Sequence, residues 1–235
     1  MQWTDEGIVL ASRPYGEGGA VASAFTRGHG RHAGLVRGAR GKARRGLVQP
    51  GNRLALTWIG RLEEQLGYYG CELIRAHAAE VLDDAGRLAA LTACCALAEL
   101  ALPEHDPQPE FYDATVVLLD ALAGEVWPAV YVHWELALLR AAGYGLDLSA
   151  CAVTGAREDL AWVSPRTGRA VSEAAAGPWR DRLLALPGFL AGGGEPDRAG
   201  IRAGLGLTGH FLERSLLVPA GKSLPPARSR LVDRF

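Results

Sequence analysis

Cationic side chains are concentrated in one segment of the sequence. Between Gly18 and Leu62 there is no Asp or Glu, although the whole chain carries a formal net charge of −1. Clusters of Arg and Lys bind phosphate backbones because they neutralise the phosphates and release counterions. The segment therefore predicts contact with a nucleic-acid backbone. Its cations are Arg27, Arg31, Arg37, Arg40, Lys42, Arg44, Arg45, Arg53 and Arg61.

Composition limits what each of these arginines means by itself. Arginine outnumbers lysine by 23 to 2 in the chain, which indicates a genome that favours arginine codons. A merely solvated loop is the alternative interpretation of such a run. The prediction therefore depends on the clustering of cations without an intervening acid, and not on any single residue.

Aromatic residues follow the basic segment and could complete a binding surface. Single strands are held by cationic grooves together with aromatic faces, on which each stacked base contributes about 1–3 kcal/mol. Trp58, Tyr68 and Tyr69 are the candidates, and we expect at least two of them to pack in the core. The predicted DNA-binding residues are Arg27, Arg31, Arg37, Arg40, Lys42, Arg44, Arg45, Trp58 and Tyr68.

The sequence offers little for covalent or metal chemistry. A structural zinc site needs closely spaced Cys or His ligands, and the four cysteines include no Cys-x-x-Cys pair. The glycine pattern at residues 204–209 has no strand before it, and Gly221-Lys222-Ser223 lacks the first glycine of a phosphate-binding loop. We therefore predict no catalytic residue, no metal and no cofactor.

Five short segments before residue 78 have the composition of β-strands, separated by Gly or Pro. Five strands in about 75 residues match an oligonucleotide/oligosaccharide-binding (OB) barrel, although spacing alone allows an SH3-like barrel equally well. A basic loop at residues 39–52 lies between the third and fourth. The predicted strands cover residues 3–11, 20–26, 33–38, 53–59 and 65–74.

After His77 the sequence becomes rich in Ala and Leu, with apolar residues at helical spacing. This predicts a helical region, interrupted at residues 151–172 by an irregular section without helical period. The predicted fold class is α+β, with an OB domain at residues 1–78 and an all-α domain at 79–235. Predicted helices beyond the first cover residues 111–122, 129–142, 181–188, 197–204 and 207–217.

Seven groups of residues, in this order and spacing, resemble the RecO family of recombination mediators in its α-proteobacterial form. Each stretch is ordinary by itself, but together they span nearly the whole chain. They are Glu6-Gly-Ile-Val-Leu, Gly28-His-Gly-Arg-His-Ala-Gly-Leu-Val-Arg-Gly-Ala, Leu102-Pro-Glu with Phe111-Tyr-Asp-Ala, Trp134-Glu-Leu-Ala-Leu-Leu-Arg with Gly143-Tyr-Gly-Leu-Asp-Leu, Cys151-Ala-Val-Thr-Gly, Val163-Ser-Pro-Arg-Thr-Gly-Arg-Ala-Val-Ser and Leu224-Pro-Pro-Ala-Arg-Ser-Arg-Leu.

The resemblance implies a non-enzymatic protein that binds single- and double-stranded DNA and anneals complementary strands. It also implies three partners: RecR, the C-terminal tail of single-stranded-DNA-binding protein (SSB) in an apolar groove of the helical domain, and RecA loaded onto gapped DNA. Some family members carry two Cys-x-x-Cys pairs in the region of residues 151–172. Here Thr154 stands at the second cysteine position and the other pair is missing, so the zinc of those members is not expected.

The N-terminus carries the acids Asp5 and Glu6 and no apolar run of about 18 residues follows. We therefore expect a cytoplasmic, nucleoid-associated chain with reduced cysteines.

Two other function classes stay open, namely an RNA-binding OB protein and a small-substrate hydrolase or transferase around Glu104, His105 and Glu135. An enzyme of this kind would show no salt-sensitive binding of an oligonucleotide, which distinguishes it from a DNA-binding protein. Competition between DNA and RNA oligonucleotides distinguishes an RNA-binding protein from a DNA-binding one.

Overall fold

The structure is a computed structural model that describes residues 1–41, 44, 46–62 and 65–235. Two of the predicted DNA-binding cations, Lys42 and Arg45, lie outside the described residues. The chain divides into two compact units. One comprises Met1–Gly124 with Pro225–Arg228, and the other comprises Glu125–Leu224 with Ser229–Phe235.

The first unit contains a closed five-stranded barrel with the strand order β1-β2-β3-β5-β4. Antiparallel β1–β4 and parallel β3–β5 pairs close the barrel, which is the topology of an OB fold. The prediction of an OB barrel is therefore confirmed. The strands are β1 (Gln2–Tyr15), β2 (Gly19–Thr26), β3 (Gly30–Val36), β4 (Arg53–Ile59) and β5 (Gly67–Arg75).

Alternation of side chains explains how these strands enclose a core. Successive residues of a strand point to opposite faces, and β3 alternates between buried and half-buried positions along its whole length. The outward positions are left for contacts with helices or with solvent. The inward side chains include those of Val9, Ala22, Ala24, Val36, Leu54, Leu56, Trp58 and Tyr69.

Helices of the first unit pack on the outside of the barrel. They are α1 (His77–Glu80), α2 (Ala85–Ala101) and α3 (Pro109–Ala121). The Asp84 carboxylate caps α2 by accepting hydrogen bonds from two backbone N–H groups of its first turn. On α3, the ring centroids of Phe111 and Tyr112 lie 5.7 and 5.5 Å from that of Phe25 on β2. Helical side chains therefore reach the part of the barrel near the end of β2.

The second unit combines helices with a small sheet of order β7-β6-β8. Val163 on β6 and Val171 on β7 are buried, so the irregular section at residues 151–172 is held by its own apolar side chains. The elements are α4 (Trp127–Ala141), β6 (Leu160–Val163), β7 (Ala170–Ser172), α5 (Glu173–Ala176), β8 (Leu184–Ala185) and α6 (Arg198–Phe211), and the chain ends with α7 (Pro226–Val232).

Two predictions of helices were wrong. Residues predicted as a helix at 181–188 instead contain the end of a 3₁₀ turn, Gly177–Arg182, followed by β8, which pairs with β6. Pro187 limits this segment to fewer residues than a stable helix needs. The predicted break between 204 and 207 is also absent, because α6 runs through Gly206.

Among the described residues, no helix is both long enough and apolar enough to cross a bilayer.

Candidate nucleic-acid interface

Arg27, at the turn between β2 and β3, is engaged by a carboxylate of α3. Its Nε and Nη2 atoms donate hydrogen bonds to the two carboxylate oxygens of Asp113, at 3.0 and 2.9 Å. These hydrogen bonds from Arg27 hold the pKa of the Asp113 carboxyl below its usual value. The charge of Arg27 is therefore already balanced by the protein.

Arg31, at the start of β3, is held still more firmly. Its side chain is only 17% exposed, and its Nη1 atom lies 3.1 Å from a Glu104 oxygen and 3.6 Å from a Glu99 oxygen. Its Nε atom donates a 2.9 Å hydrogen bond to the carbonyl of Leu102. Arg31 thus links β3 to the end of α2 through these contacts. Because they engage its guanidinium, the structure does not support its predicted role in binding DNA.

Three other arginines of the basic segment have a different environment. Arg37 and Arg44 are exposed, and Arg44 donates a 3.3 Å hydrogen bond to the backbone carbonyl of Arg37. The backbone N–H of Arg40 donates to the carbonyl of Gly18 at 3.2 Å, which places Arg40 beside the β1–β2 turn. Within the described residues, none of the three arginine side chains forms an ion pair with a carboxylate.

Tyr68 provides an aromatic face next to these arginines. The guanidinium carbon of Arg37 lies 4.2 Å from the centre of the Tyr68 ring, and the Tyr68 residue is 45% exposed. Strand pairing fixes this position, because Tyr68 is the register partner of Leu35 on β3 and of Ile59 on β4. An exposed aromatic ring beside guanidinium groups has the composition of known single-strand binding surfaces.

We call this surface the open face and define it by Leu35, Arg37, Arg44, Ile59 and Tyr68. These residues line a groove of about 370 Å³, together with Tyr69 and Gly70. The apolar members Leu35 and Ile59 were not among the predicted site residues. Their pairing with Tyr68 is the signal that identifies them, and it requires the strand register.

Trp58 does not belong to this surface, although it was predicted to bind DNA. It has no exposed area, because its indole lies directly beneath the backbone of two glycines. A Cβ added at Gly60 or Gly67 would come within 2.3 or 2.4 Å of the ring. Tyr69 is also buried. The expectation that at least two of the three aromatics pack in the core is confirmed, and Tyr68 is the one that faces solvent.

A second groove, of about 630 Å³, crosses β1, β4 and β5 next to the open face. Its lining includes Asp5, Glu6 and Glu72, and it shares Arg44 with the first groove. The Asp5 carboxylate is also structural, since it accepts a 2.7 Å hydrogen bond from the backbone N–H of Gly28. Carboxylates repel phosphates. A nucleic-acid backbone therefore fits the β3–β5 side of Arg44 better than the β1–β4 side.

Residues considered for metal or catalytic roles have structural surroundings. No group of three or more His, Cys, Asp or Glu in the described part of the chain could hold a metal ion. Cys151 is buried and receives a 3.5 Å hydrogen bond from the Ser172 hydroxyl. Glu135 is fully buried in the second unit, where it accepts a hydrogen bond from Thr208. His105 packs edge-on against the ring of His32, at 4.4 Å.

Comparisons with known proteins cover the chain almost from end to end. The family model described as "Recombination protein O N terminal" matches residues 1–77, and "Recombination protein O C terminal" matches residues 82–225.

Several curated relatives carry the name DNA repair protein RecO. The protein of Rhodospirillum centenum is 54% identical over 237 residues, covering 100% of this chain and 95% of that protein. The protein of Rhodospirillum rubrum is 53% identical over 243 residues, covering 100% and 96%. That of Methylocella silvestris is 47% identical over 238 residues, again covering 100% and 96%. The chain therefore belongs to the RecO family.

Proposed function

We propose that this chain is a non-enzymatic DNA repair and recombination mediator whose open face holds single-stranded DNA. The observation that carries the proposal is the Arg37–Tyr68 stack, which is exposed and has the Arg44 guanidinium beside it. Membership of the RecO family supports a role in DNA repair. Trp58, Arg27 and Arg31 are left out of the proposed site because core packing or ion pairs already engage them.

The geometry favours a simple binding mode. A base takes the place of the Arg37 guanidinium on the Tyr68 ring, and the displaced guanidinium contacts an adjacent phosphate together with that of Arg44. Arg40, Lys42 and Arg45 belong to the same loop in sequence and add further phosphate contacts. Cations shared between two strands lower the repulsion between their backbones, so that complementary strands meet while bound. This mode needs no covalent chemistry, and it extends to double-stranded DNA through the phosphates alone.

The proposed partners follow from the family. We propose that the protein acts with RecR in the cytoplasm, at the nucleoid. An apolar groove of the helical domain receives the C-terminal tail of SSB, and the complex helps to load RecA onto SSB-coated DNA. The names of the curated relatives support the repair context of these interactions.

Oligonucleotide titration tests the binding proposal. The native chain is titrated with a labelled single strand at two salt concentrations, and the affinity should fall as salt rises, because each phosphate contact releases counterions. The variant with Arg40, Lys42, Arg44 and Arg45 changed to Ala should bind more weakly with a flatter salt dependence. An unchanged affinity and salt dependence would reject the assigned surface. Competition between DNA and RNA of the same sequence then decides whether RNA is the true ligand.

Strand annealing tests the mediator function. Complementary oligonucleotides are coated with SSB and mixed with the native chain, which should accelerate duplex formation. Acceleration supports the mediator role. Binding without any acceleration, by a chain whose folding has been verified, would reduce the proposal to a DNA-binding module.

A further inference from the structure

Stacking of an arginine on an aromatic ring recurs in the second unit. Among the described residues, two such pairs lie near β6 and the Gly177–Arg182 turn. The guanidinium carbon of Arg180 is 5.1 Å from the centre of the Trp162 ring, and that of Arg182 is 5.5 Å from the Trp179 ring. The two pairs have the same chemistry as the Arg37–Tyr68 stack of the open face. They differ in whether a carboxylate also contacts the arginine. We call a pair with such a carboxylate closed and a pair without one, among the described residues, open.

The Arg180–Trp162 pair is closed by Glu173. One carboxylate oxygen of Glu173 lies 3.2 Å from Nη1 of Arg180. The other accepts a 2.7 Å hydrogen bond from the Trp162 indole N–H. Both polar groups of the pair are therefore used within the protein, as in the Arg27–Asp113 pair of the barrel.

The Arg182–Trp179 pair is open. Trp179 is 58% exposed, a large fraction for an indole. Beside it lies a groove of about 480 Å³ that both Arg166 and Arg182 line. In the part of the chain that the structure describes, neither arginine forms an ion pair. The second unit therefore presents to solvent an indole and two guanidinium groups that no carboxylate of the described residues neutralises.

We propose that Trp179, Arg182 and Arg166 form a second contact surface for single-stranded nucleic acid. This inference rests on the proposed function and extends it, because annealing requires two strands and the open face accounts for one. A base replaces the Arg182 guanidinium on the exposed indole, and the guanidinium groups of Arg182 and Arg166 contact the adjacent phosphates. Val153 and Leu183 add apolar lining that would also accept a peptide. The groove repeats the combination of cations and an aromatic ring seen on the open face, which favours a nucleic-acid strand over a peptide as its ligand.

The test uses the full-length chain and two matched variants. Trp179→Ala/Arg182→Ala removes the open pair, and Arg180→Ala removes the guanidinium of the closed pair as a control. Each protein is checked for an unchanged thermal unfolding transition. We expect the double variant to anneal naked complementary strands about tenfold more slowly, while the affinity for one short oligonucleotide stays within about twofold. The control should anneal at the native rate.

Photochemical cross-linking locates the strand independently of rates. An oligonucleotide containing 5-iodouracil, in excess over the native chain so that both surfaces are filled, is irradiated in the complex and analysed by mass spectrometry, and we expect a cross-link at Trp179. If the native chain binds no oligonucleotide, the proposed function and this inference both fall. Binding without a cross-link at Trp179, and with native annealing by the double variant, would overturn the inference alone. A defect confined to SSB-coated strands would likewise overturn it, because the groove would then hold a protein segment.

Discussion

Two groups of arginines from one stretch of sequence have different environments on the barrel. Arg27 and Arg31, at the β2–β3 turn, are paired with carboxylates of α3 and of the residues at the end of α2. Arg37 and Arg44, beyond the end of β3, are exposed, and Arg37 stacks on an aromatic ring. The first group is engaged by carboxylates of the protein, and the second has no carboxylate partner among the described residues.

This difference shows that the number of cations in a sequence segment overestimates the number that are available to bind a ligand. Arg27 and Asp113 are separated by 86 residues in sequence, so the acid-free window around Arg27 gives no sign of its partner. Neutralisation depends on which helices pack on which strand ends. The same distinction between closed and open pairs recurs in the second unit, with Arg180 closed by Glu173 and Arg182 open.

The largest expected effect is on DNA affinity when the open arginines are removed. Changing Arg37, Arg40 and Arg44 together to Ala should weaken binding of a single-stranded oligonucleotide by at least about tenfold at low salt, because fewer phosphates are neutralised. Fluorescence anisotropy measures the affinity. The matched control changes Arg27 and Arg31 to Ala and should bind within about twofold of the native chain. Equal reductions of affinity in the two variants would break the comparison.

Tyr68 should contribute more to the affinity for single-stranded DNA than to the affinity for duplex DNA. Tyr68→Ala should weaken binding of a single strand by about 1–3 kcal/mol, the range for a stacked base. Duplex affinity should change little, because paired bases are not available for stacking. Tyr68→Phe keeps the ring and serves as the control. The stacking assignment is wrong if the Ala variant weakens single strands and duplexes by the same factor.

Arg31 should matter for stability instead of binding. Arg31→Ala removes a mostly buried cation that bonds to a carbonyl and two carboxylates, so the free energy of unfolding should fall by about 2 kcal/mol. Urea denaturation followed by circular dichroism measures the change. Below the unfolding transition the variant should bind oligonucleotides normally. A loss of affinity without a loss of stability would move Arg31 to the binding surface.

The smallest expected effect concerns the titration of Asp113. Because Arg27 lowers its pKa in the folded state, the pair adds stability above the pKa of the unfolded chain and loses it as pH falls through the folded pKa. In Arg27→Ala the pKa of Asp113 should rise toward its ordinary value, which NMR titration of the carboxyl carbon detects. An unchanged pKa would show that the bidentate pair does not persist in solution.

Local pattern was sufficient to predict the barrel but not its full extent. Alternating apolar residues and glycine-rich turns identified all five strands, since both signals depend on adjacent residues. β1 runs to Tyr15 instead of ending at residue 11. The added residues continue the hairpin, where Pro14 pairs with Ala20 and Tyr15 with Gly19. A proline at the end of a strand is compatible with this pairing, although in the sequence it indicates a turn.

The binding surface was less predictable because it depends on distant residues. The sequence identified the arginine cluster and proposed Tyr68, but it could not separate Tyr68 from Trp58 without the position of Gly60 and Gly67 over the indole. It also could not show that Leu35 lies beside Tyr68, because parallel β3–β5 pairing joins strands that are not consecutive. Register and helix packing supply this information.

Salt dependence of binding tests the central claim most directly, because its slope counts the phosphates that the protein neutralises. The logarithm of the association constant is plotted against the logarithm of salt concentration for three proteins: the native chain, Arg37→Ala/Arg44→Ala and Arg27→Ala/Arg31→Ala. The slope of the first variant should become less negative by about 0.7 for each phosphate that is no longer neutralised, and that of the second should equal the native slope. A native slope in the first variant, or a flattened slope in the second, would contradict the distinction between the exposed arginines of the open face and the carboxylate-paired arginines at the β2–β3 turn.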